Sequence, residues 1–262
     1  MKLNGKNVVI TGASSGIGEV LAYKVAESGG TPILLARSVE KLQQISQSIE
    51  QKYLLTCPFY QLDVRDLDKV QQTFQTIIED RGTIHVLVNN AGFGIFEEVI
   101  DINLQDMKDM FEVNVFGLIA CTKAVLPTML KHKEGHIINV ASQAGKLATP
   151  KSSVYSATKH AVLGFTNSLR MELNDSNVFV TAVNPGPIRT NFFEIADKSG
   201  GYKKNVERFM LEPELVASKM VDAMFTQTRE LNLPSWMNAA SKFSQVFPEL
   251  VEKVGGKAFF KK

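Results

Sequence analysis

The chain has 262 residues, 44% hydrophobic and 21% charged, a composition that excludes a disordered or membrane-embedded protein and suits a globular one. Its 29 basic and 27 acidic residues leave a formal charge of +2, too near balance to point to nucleic acid as a partner. The two cysteines, Cys57 and Cys121, form no CxxC or metal-type cluster and read as buried, reduced thiols. Met1 to Lys6 runs directly into an apolar strand without a signal-peptide core, and no run of about 18 apolar residues suggests a bilayer span. The expected location is the cytoplasm.

In chain order, short apolar runs alternate with longer amphipathic stretches. Val8 to Ile10 reads as a strand, followed by a helix around Glu19 to Ser28. Ile33 to Ala36 is a second strand, and Val39 to Gln51 a helix with Leu42, Ile45 and Ile49 on one face. Phe59 to Leu62 is a third strand, and Leu67 to Glu79 a helix carrying Val70, Phe74, Ile77 and Ile78. Strand Val86 to Val88, one long helix from Leu104 to Lys131, strand Ile137 to Val140, helix Val154 to Leu173 and strand Val178 to Val183 complete the regular part. Strands apolar on both faces, alternating with helices, predict a doubly wound α/β fold: a mostly parallel sheet covered on both sides. No linker or repeat divides the chain, so residues 1–262 are expected to form one dinucleotide-binding and catalytic domain. Within it, 187–211 is less regular and 237–262 is a C-terminal extension.

After the first strand comes Thr11-Gly12-Ala13-Ser14-Ser15-Gly16-Ile17-Gly18, opening a helix. Glycines there allow a tight turn and close approach of the backbone to a pyrophosphate, and the helix N-terminus offers unpaired N–H groups. The spacing, Gly-x3-Gly-x-Gly, differs by one residue from the GxGxxG dinucleotide fingerprint. At the end of the second strand stands Ala36-Arg37-Ser38. An acid in that place would bond an unphosphorylated ribose, whereas an arginine suits a 2′-phosphate. NADP(H) is therefore expected over NAD(H), the plainer alternative being a solvated surface arginine.

Tyr155-Ser156-Ala157-Thr158-Lys159 places a phenol and an ammonium one helical turn apart. A phenol with an ordinary pKa near 10 is a poor acid–base group at neutral pH, and a neighbouring cation favours its ionised form. Ser142 follows the fifth strand, where ligand sites of open parallel sheets lie.

Taken with Asp63-Val64, Asn89-Asn90-Ala91-Gly92, Asn114 and Asn184-Pro185-Gly186-Pro187-Ile188-Arg189-Thr190, these motifs resemble the short-chain dehydrogenase/reductase family in its compact single-domain branch. They stand in family order from residue 11 to 190, and the similarity extends less distinctively to about Pro234. The resemblance implies a Rossmann fold and an oxidoreductase that moves a hydride between NADP(H) and a carbonyl or secondary alcohol. It implies Tyr155 as the general acid/base, Lys159 as the group that lowers its pKa and bonds the nicotinamide ribose, and Ser142 as the group that polarises the carbonyl. Asn114 would hold a water in a proton relay. Gly12, Ser14, Ser15, Gly16, Ile17 and Gly18 would cradle phosphates, and Arg37 and Ser38 would hold the 2′-phosphate. Asp63 and Val64 would contact adenine. Asn90, Ala91 and Gly92 would lie along the adenosine and ribose, with Pro185, Gly186, Ile188 and Thr190 at the nicotinamide. Relatives that use NADP often carry a basic residue where this chain has Ser15, which leaves the preference to Arg37, with Ser38 beside it.

The loop 187–211 would cover the substrate, and its Phe192, Phe193, Ile195, Phe209 and Met210 suggest an apolar substrate. Glu97, Glu98, Lys146 and Lys151 are candidates for the entrance. No metal site is expected: His132 and His136 have helical spacing, but Gly135 intervenes and no third ligand is apparent. A homo-oligomer is implied by the resemblance, with the helices at 104–131 and 154–173 as candidate interfaces. A tail with Phe259-Phe260 beside Lys261-Lys262 packs or frays, the alternative being contact with a membrane surface. Against the oxidoreductase reading stand a non-catalytic NADP(H)-binding regulator or scaffold and a different, redox-neutral enzyme chemistry such as that of a dehydratase or epimerase.

Overall fold

The computed structural model describes residues 1–197, 200–251 and 253, with the backbone alone at 202 and 203. Seven strands form one all-parallel sheet: β1 (Asn7–Thr11), β2 (Thr31–Ala36), β3 (Phe59–Gln61), β4 (Val86–Asn89), β5 (Gly135–Val140), β6 (Val178–Pro185) and β7 (Glu230–Leu233). Their order is β3-β2-β1-β4-β5-β6-β7, so the winding reverses between β1 and β4. At that switch point the C-terminal strand ends splay apart and leave a crevice.

Alternation along the strands divides the core into two layers. Val8, Ile10, Leu34, Val88 and Val183 pack under α1 (Gly16–Glu27), α2 (Val39–Tyr53) and α9 (Pro213–Ala223) through Leu21, Leu42 and Met220. Val9, Ile33, Leu35, Leu87 and Ile137 face the other way, onto α3 (Leu67–Arg81), α5 (Leu118–His132) and α6 (Ser153–Glu172), meeting Phe74, Val125 and Leu169. Burying a side chain of this size is worth about 1.5–3 kcal/mol, which is why both faces of the central strands are apolar. Cys57 and Cys121 are free and buried, and burial pushes both thiols up to about 12.

The long helix expected from Leu104 to Lys131 is interrupted. It runs as α4 (Leu104–Phe111), a π-helical segment Glu112–Gly117 and then α5. Two tertiary contacts accompany the widened turn: Val64 presses on Gly117, where a Cβ would come within 2.7 Å, and the Asn114 amide turns to the Phe93 backbone. By length and composition the run Leu104–His132 could cross a membrane, but half of its apolar window is buried in the fold, as in a core helix.

The region after β6 holds more regular structure than the sequence pattern suggested: α7 (Phe192–Ala196), α8 (Gly201–Val206), a 3-10 turn Glu207–Phe209, α9, β7 and α10 (Ser235–Val246). An isolated parallel bridge between Ile188 and Leu211 closes the neck of the 187–211 segment. β7 escapes a periodicity search because Glu230-Leu231-Asn232-Leu233 is a short, half-exposed edge strand. Phe259, Phe260 and the lysines around them lie outside the described residues.

His136 is buried in β5. Its Nδ1 accepts from the Phe225 N–H (2.9 Å) and its Nε2 meets Thr181 Oγ1 (2.8 Å). Burial, with Lys2 adding to it, holds the imidazole down at about 3, so it is a neutral strut under the turn that follows α9. His132, at the end of α5, bonds the Thr128 carbonyl instead, and no cluster of metal-ligating groups occurs among the described residues.

Candidate active site

A cavity of about 820 Å³ opens at the C-terminal ends of the strands, within the range of about 300–1,000 Å³ typical of ligand pockets. At one end the backbone shapes it. Gly12 and Gly16 adopt φ of +67° and +59°, a conformation that costs an L side chain about 1–2 kcal/mol. A Cβ on Gly12 would also lie 2.8 Å from Ala91 Cα. The Asn90 amide ties the turn down by donating to the carbonyls of Thr11 (3.0 Å) and Gly12 (3.2 Å), and Thr11 Oγ1 accepts from the N–H groups of Asn90 and Ala91. Ser15, the N-cap of α1, makes no capping bond with its side chain, so N–H groups of the first turn remain for an anion.

Ser14, Ser15, Gly16, Ile17, Arg37 and Ser38 line this end together with Asp63, Val64, Asn90, Ala91 and Gly92. Gly18 does not line it. It lies beneath the turn, where a Cβ would meet the Gly12 carbonyl at 2.4 Å and Asn90 Nδ2 at 2.6 Å. Asp63 accepts a bidentate contact from Arg65, its Nε at 3.1 Å and the second nitrogen at 2.7 Å, and Arg65 holds its carboxyl below the usual range. Two lining cations, Lys41 and Arg65, were not singled out in the sequence. Lys41 lies one turn into α2 from Arg37 and pulls down a Glu19 carboxyl that burial pushes up; its spacing from Arg37 was the available signal.

Ser142, Tyr155 and Lys159 reach the cavity from β5's end and α6. Lys159 is buried, donates to the Val140 carbonyl (2.9 Å) and has its Nζ 5.7 Å from the centre of the Tyr155 ring. Burial pulls its ammonium down to about 8. Ser142 caps a 3-10 turn by accepting from the Ala144 N–H (3.0 Å). Asn114 does not line the cavity but stands behind Gly92: a Cβ there would come 3.0 Å from Asn114 Oδ1 and 3.5 Å from Lys159 Nζ. Its amide accepts from the Phe93 N–H (3.0 Å) and donates to the Phe93 carbonyl (2.9 Å) and Thr158 Oγ1 (3.0 Å). Asn89, by contrast, braces the sheet through Thr122 and Asn139.

Pro185, Gly186, Ile188 and Thr190 line the far wall, and beyond them the lining turns apolar: Phe93, Phe96, Leu147, Phe192, Phe193, Ile195, Phe209 and Met237. Tyr155 sits in a cage of rings, 5.7 Å from Phe96 and 5.8 Å from Phe192 between centroids. Gly94 lets the rings close in, since a Cβ there would lie 2.8 Å from the tyrosine. Met210, Glu97, Glu98, Lys146 and Lys151 are not among the lining residues; Lys146 instead pairs with Glu230 and bonds Asn232 and Asn238. Phe93 and Phe96 were missed in the sequence although Phe93 directly follows Gly92 and both lie in the loop after β4.

The family model described as short chain dehydrogenase matches residues 6–199. The chain belongs to this family. It is an oxidoreductase fold member with relatives of the same size. An NADP-dependent 3-hydroxy acid dehydrogenase of Schizosaccharomyces pombe is 35% identical over 239 residues, covering 88% of this chain and 90% of the relative. The alcohol dehydrogenase of the archaeon Thermococcus sibiricus, solved with 5-hydroxy-NADP, superposes with a TM-score of 0.78 at 28% identity, over 87% of this chain and 95% of that one. A short-chain dehydrogenase/reductase of Burkholderia phymatum, solved with NAD, reaches 0.87 at 25% identity over 95% and 96% of the two chains. The glycine turn that a Cβ would fill, the uncapped α1 terminus and the cations beside it fit the nicotinamide dinucleotide such enzymes use.

Proposed function

We propose that the chain is an NADP(H)-dependent reductase/dehydrogenase that interconverts a carbonyl and a secondary alcohol on an apolar substrate. The observation that carries this reading is the convergence of Ser142, Tyr155 and buried Lys159 on one cavity with the glycine turn. Gly12 to Ile17 would hold the pyrophosphate, Arg37 and Ser38 the 2′-phosphate, Asp63 to Gly92 the adenosine side, and Pro185 to Thr190 the nicotinamide. Bound there, the cofactor supplies or accepts the hydride. Ser142 Oγ orients the substrate oxygen, and Tyr155 gives that oxygen its proton in reduction or removes it in oxidation. Lys159, held by the Val140 carbonyl, keeps a positive charge beside the phenol and favours phenolate. Asn114 fixes the strand-end loop at Phe93 and would position water behind Lys159.

Support for NADP(H) is the absence of an acid after β2 and the presence of Arg37 in its place, in agreement with the NADP dependence of the Schizosaccharomyces pombe relative. Support for an apolar substrate is the ring cage. Among the described residues, the lining charges other than Lys159 are Arg37, Lys41, Asp63, Arg65 and Asp109, all on elements at the adenosine end. The segment 187–211 is read as the substrate cover, and exposed Phe116 and Leu104 support self-association through the α4–α5 helices.

Nicotinamide fluorescence titrations with NADPH and NADH test the cofactor, followed by NADPH loss over a panel of carbonyls. Arg37→Ala removes a charge-assisted contact worth about 1.5–3 kcal/mol, so NADPH affinity falls roughly 10–100-fold while NADH affinity holds. Equal binding of both by the native chain overturns the cofactor assignment. Tight NADPH binding with no turnover on any carbonyl promotes the regulator instead.

A further inference from the structure

α10 is amphipathic in the reverse of the usual sense. Its inward side is tied to the body by two polar bonds, Asn238 accepting from Lys146 Nζ (3.2 Å) and Gln245 Nε2 donating to the Lys146 carbonyl (3.3 Å), while Ser241 is buried and bonds the Asn238 carbonyl within the helix (3.0 Å). Met237 is the apolar exception, seated over Gly186. The other side is apolar and faces out. Trp236, Phe243 and Val246 on the helix, with Phe247 and Leu250 just beyond its end, are each about half exposed or more, from 49% to 68%. A surface helix normally buries its apolar stripe, so this stripe is a surface awaiting a partner.

The stripe joins the mouth of the cavity. Trp236 packs edge-on against Phe209 at 5.8 Å between centroids, Phe209 lines the cavity, and the Arg208 guanidinium lies 4.5 Å over the Phe209 ring. Ile195, 58% exposed, lines the same mouth. From Ser235 onward the sequence holds Lys242, Lys253, Lys257, Lys261 and Lys262 against Glu249 and Glu252 alone, on a chain whose overall charge is only +2.

We propose that α10 and the mouth of the cavity form a docking surface for an anionic lipid bilayer, with Trp236, Phe243 and Phe247 entering the headgroup boundary. Aromatic residues flanked by lysines are the chemistry that such an interface recognises. Charge separates this partner from a second copy of the chain. A two-fold contact would set the patch against itself and bring exposed Lys242 and Lys253 of both copies together, whereas anionic headgroups neutralise them. Docking in this orientation turns the cavity mouth toward the bilayer, whatever substrate the cavity takes.

Trp236 is the chain's single tryptophan, so its emission reports on this patch alone. The full chain is titrated with phosphatidylcholine vesicles with and without phosphatidylglycerol, plain or carrying brominated acyl chains. The expected result is a blue shift and bromine quenching of Trp236, with apparent affinity about tenfold or more higher for the anionic vesicles. The double variant Phe243→Asp/Phe247→Asp, outside the cavity lining, is expected to lose vesicle binding while keeping NADPH affinity. Unchanged emission and no quenching with either vesicle overturns the proposal. So does a blue shift that grows with protein concentration alone and that vesicles do not alter, which assigns the patch to a second copy.

Discussion

The two ends of the cavity are built on opposite plans. At the adenosine end the phosphate turn is shaped by backbone: Gly12 and Gly18 leave no room for a methyl group, and the Asn90 amide holds the turn by its carbonyls. At the substrate end the wall is side chains, with Phe96, Phe192 and Phe193 in mutual ring contact around Tyr155 and the 187–211 segment joined to the body through the Ile188–Leu211 bridge. A wall made of backbone admits one ligand shape and tolerates almost no substitution. A wall made of rings on a short insert can be resized one residue at a time without disturbing the sheet. The difference teaches that the two ends answer separately to mutation, binding of the dinucleotide at one and choice of substrate at the other.

The largest effect is expected where the two ends meet. Tyr155→Phe removes the proton donor and is predicted to cut turnover by about 10²–10⁴-fold, with NADPH affinity within severalfold of the native chain. Steady-state rates and a fluorescence titration on the same preparation check both halves, and unchanged turnover would take Tyr155 out of the reaction.

Gly18→Ala comes next and acts on the backbone wall. With 2.4 Å to the Gly12 carbonyl, the added methyl forces the turn to move, at a cost of about 1–3 kcal/mol read from the denaturant midpoint. Dinucleotide affinity falls with it. A variant as stable as the native chain and as tight for NADPH would show the turn to be more pliant than its contacts indicate.

Phe192→Ala is the mildest change and acts on the ring wall. Each aromatic pair contributes about 0.5–1.5 kcal/mol beyond its buried area, so kcat/KM for a bulky carbonyl should shift roughly tenfold. Nucleotide affinity should stay put. Loss of NADPH binding in this variant would break the separation between the two ends.

How much of this was legible in the residues differs by element. Six strands and the helices between them follow from short apolar runs: β1, β2, β4, β5 and β6 because a strand buried on both faces must be apolar throughout, and the half-exposed edge strand β3 from its aromatic run. β7 has no such signature: it is an edge strand whose Glu230 and Asn232 serve Lys146. The π-segment at Asn114 was hidden as well, because the sequence of 104–131 is compatible with an unbroken helix and the widened turn coincides with contacts to Val64 and Phe93. The lining residues Phe93 and Phe96 are ordinary apolar residues in sequence, and only their place after β4 puts them beside the tyrosine.

By itself the sequence determined the doubly wound α/β fold, the family, and the local groups of the cradle and the Tyr155–Lys159 turn, because these depend on spacing within a few residues of one another. Tertiary structure decided what depends on distance between elements. It put Gly18 and Asn114 behind the cavity wall and Lys41 and Arg65 on it, and it paired Lys146 with Glu230 away from the entrance. It also turned the apolar face of α10 outward. Hydrophobic periodicity shows that a helix has an apolar face, but which way that face points is set by the bonds that its other face can make.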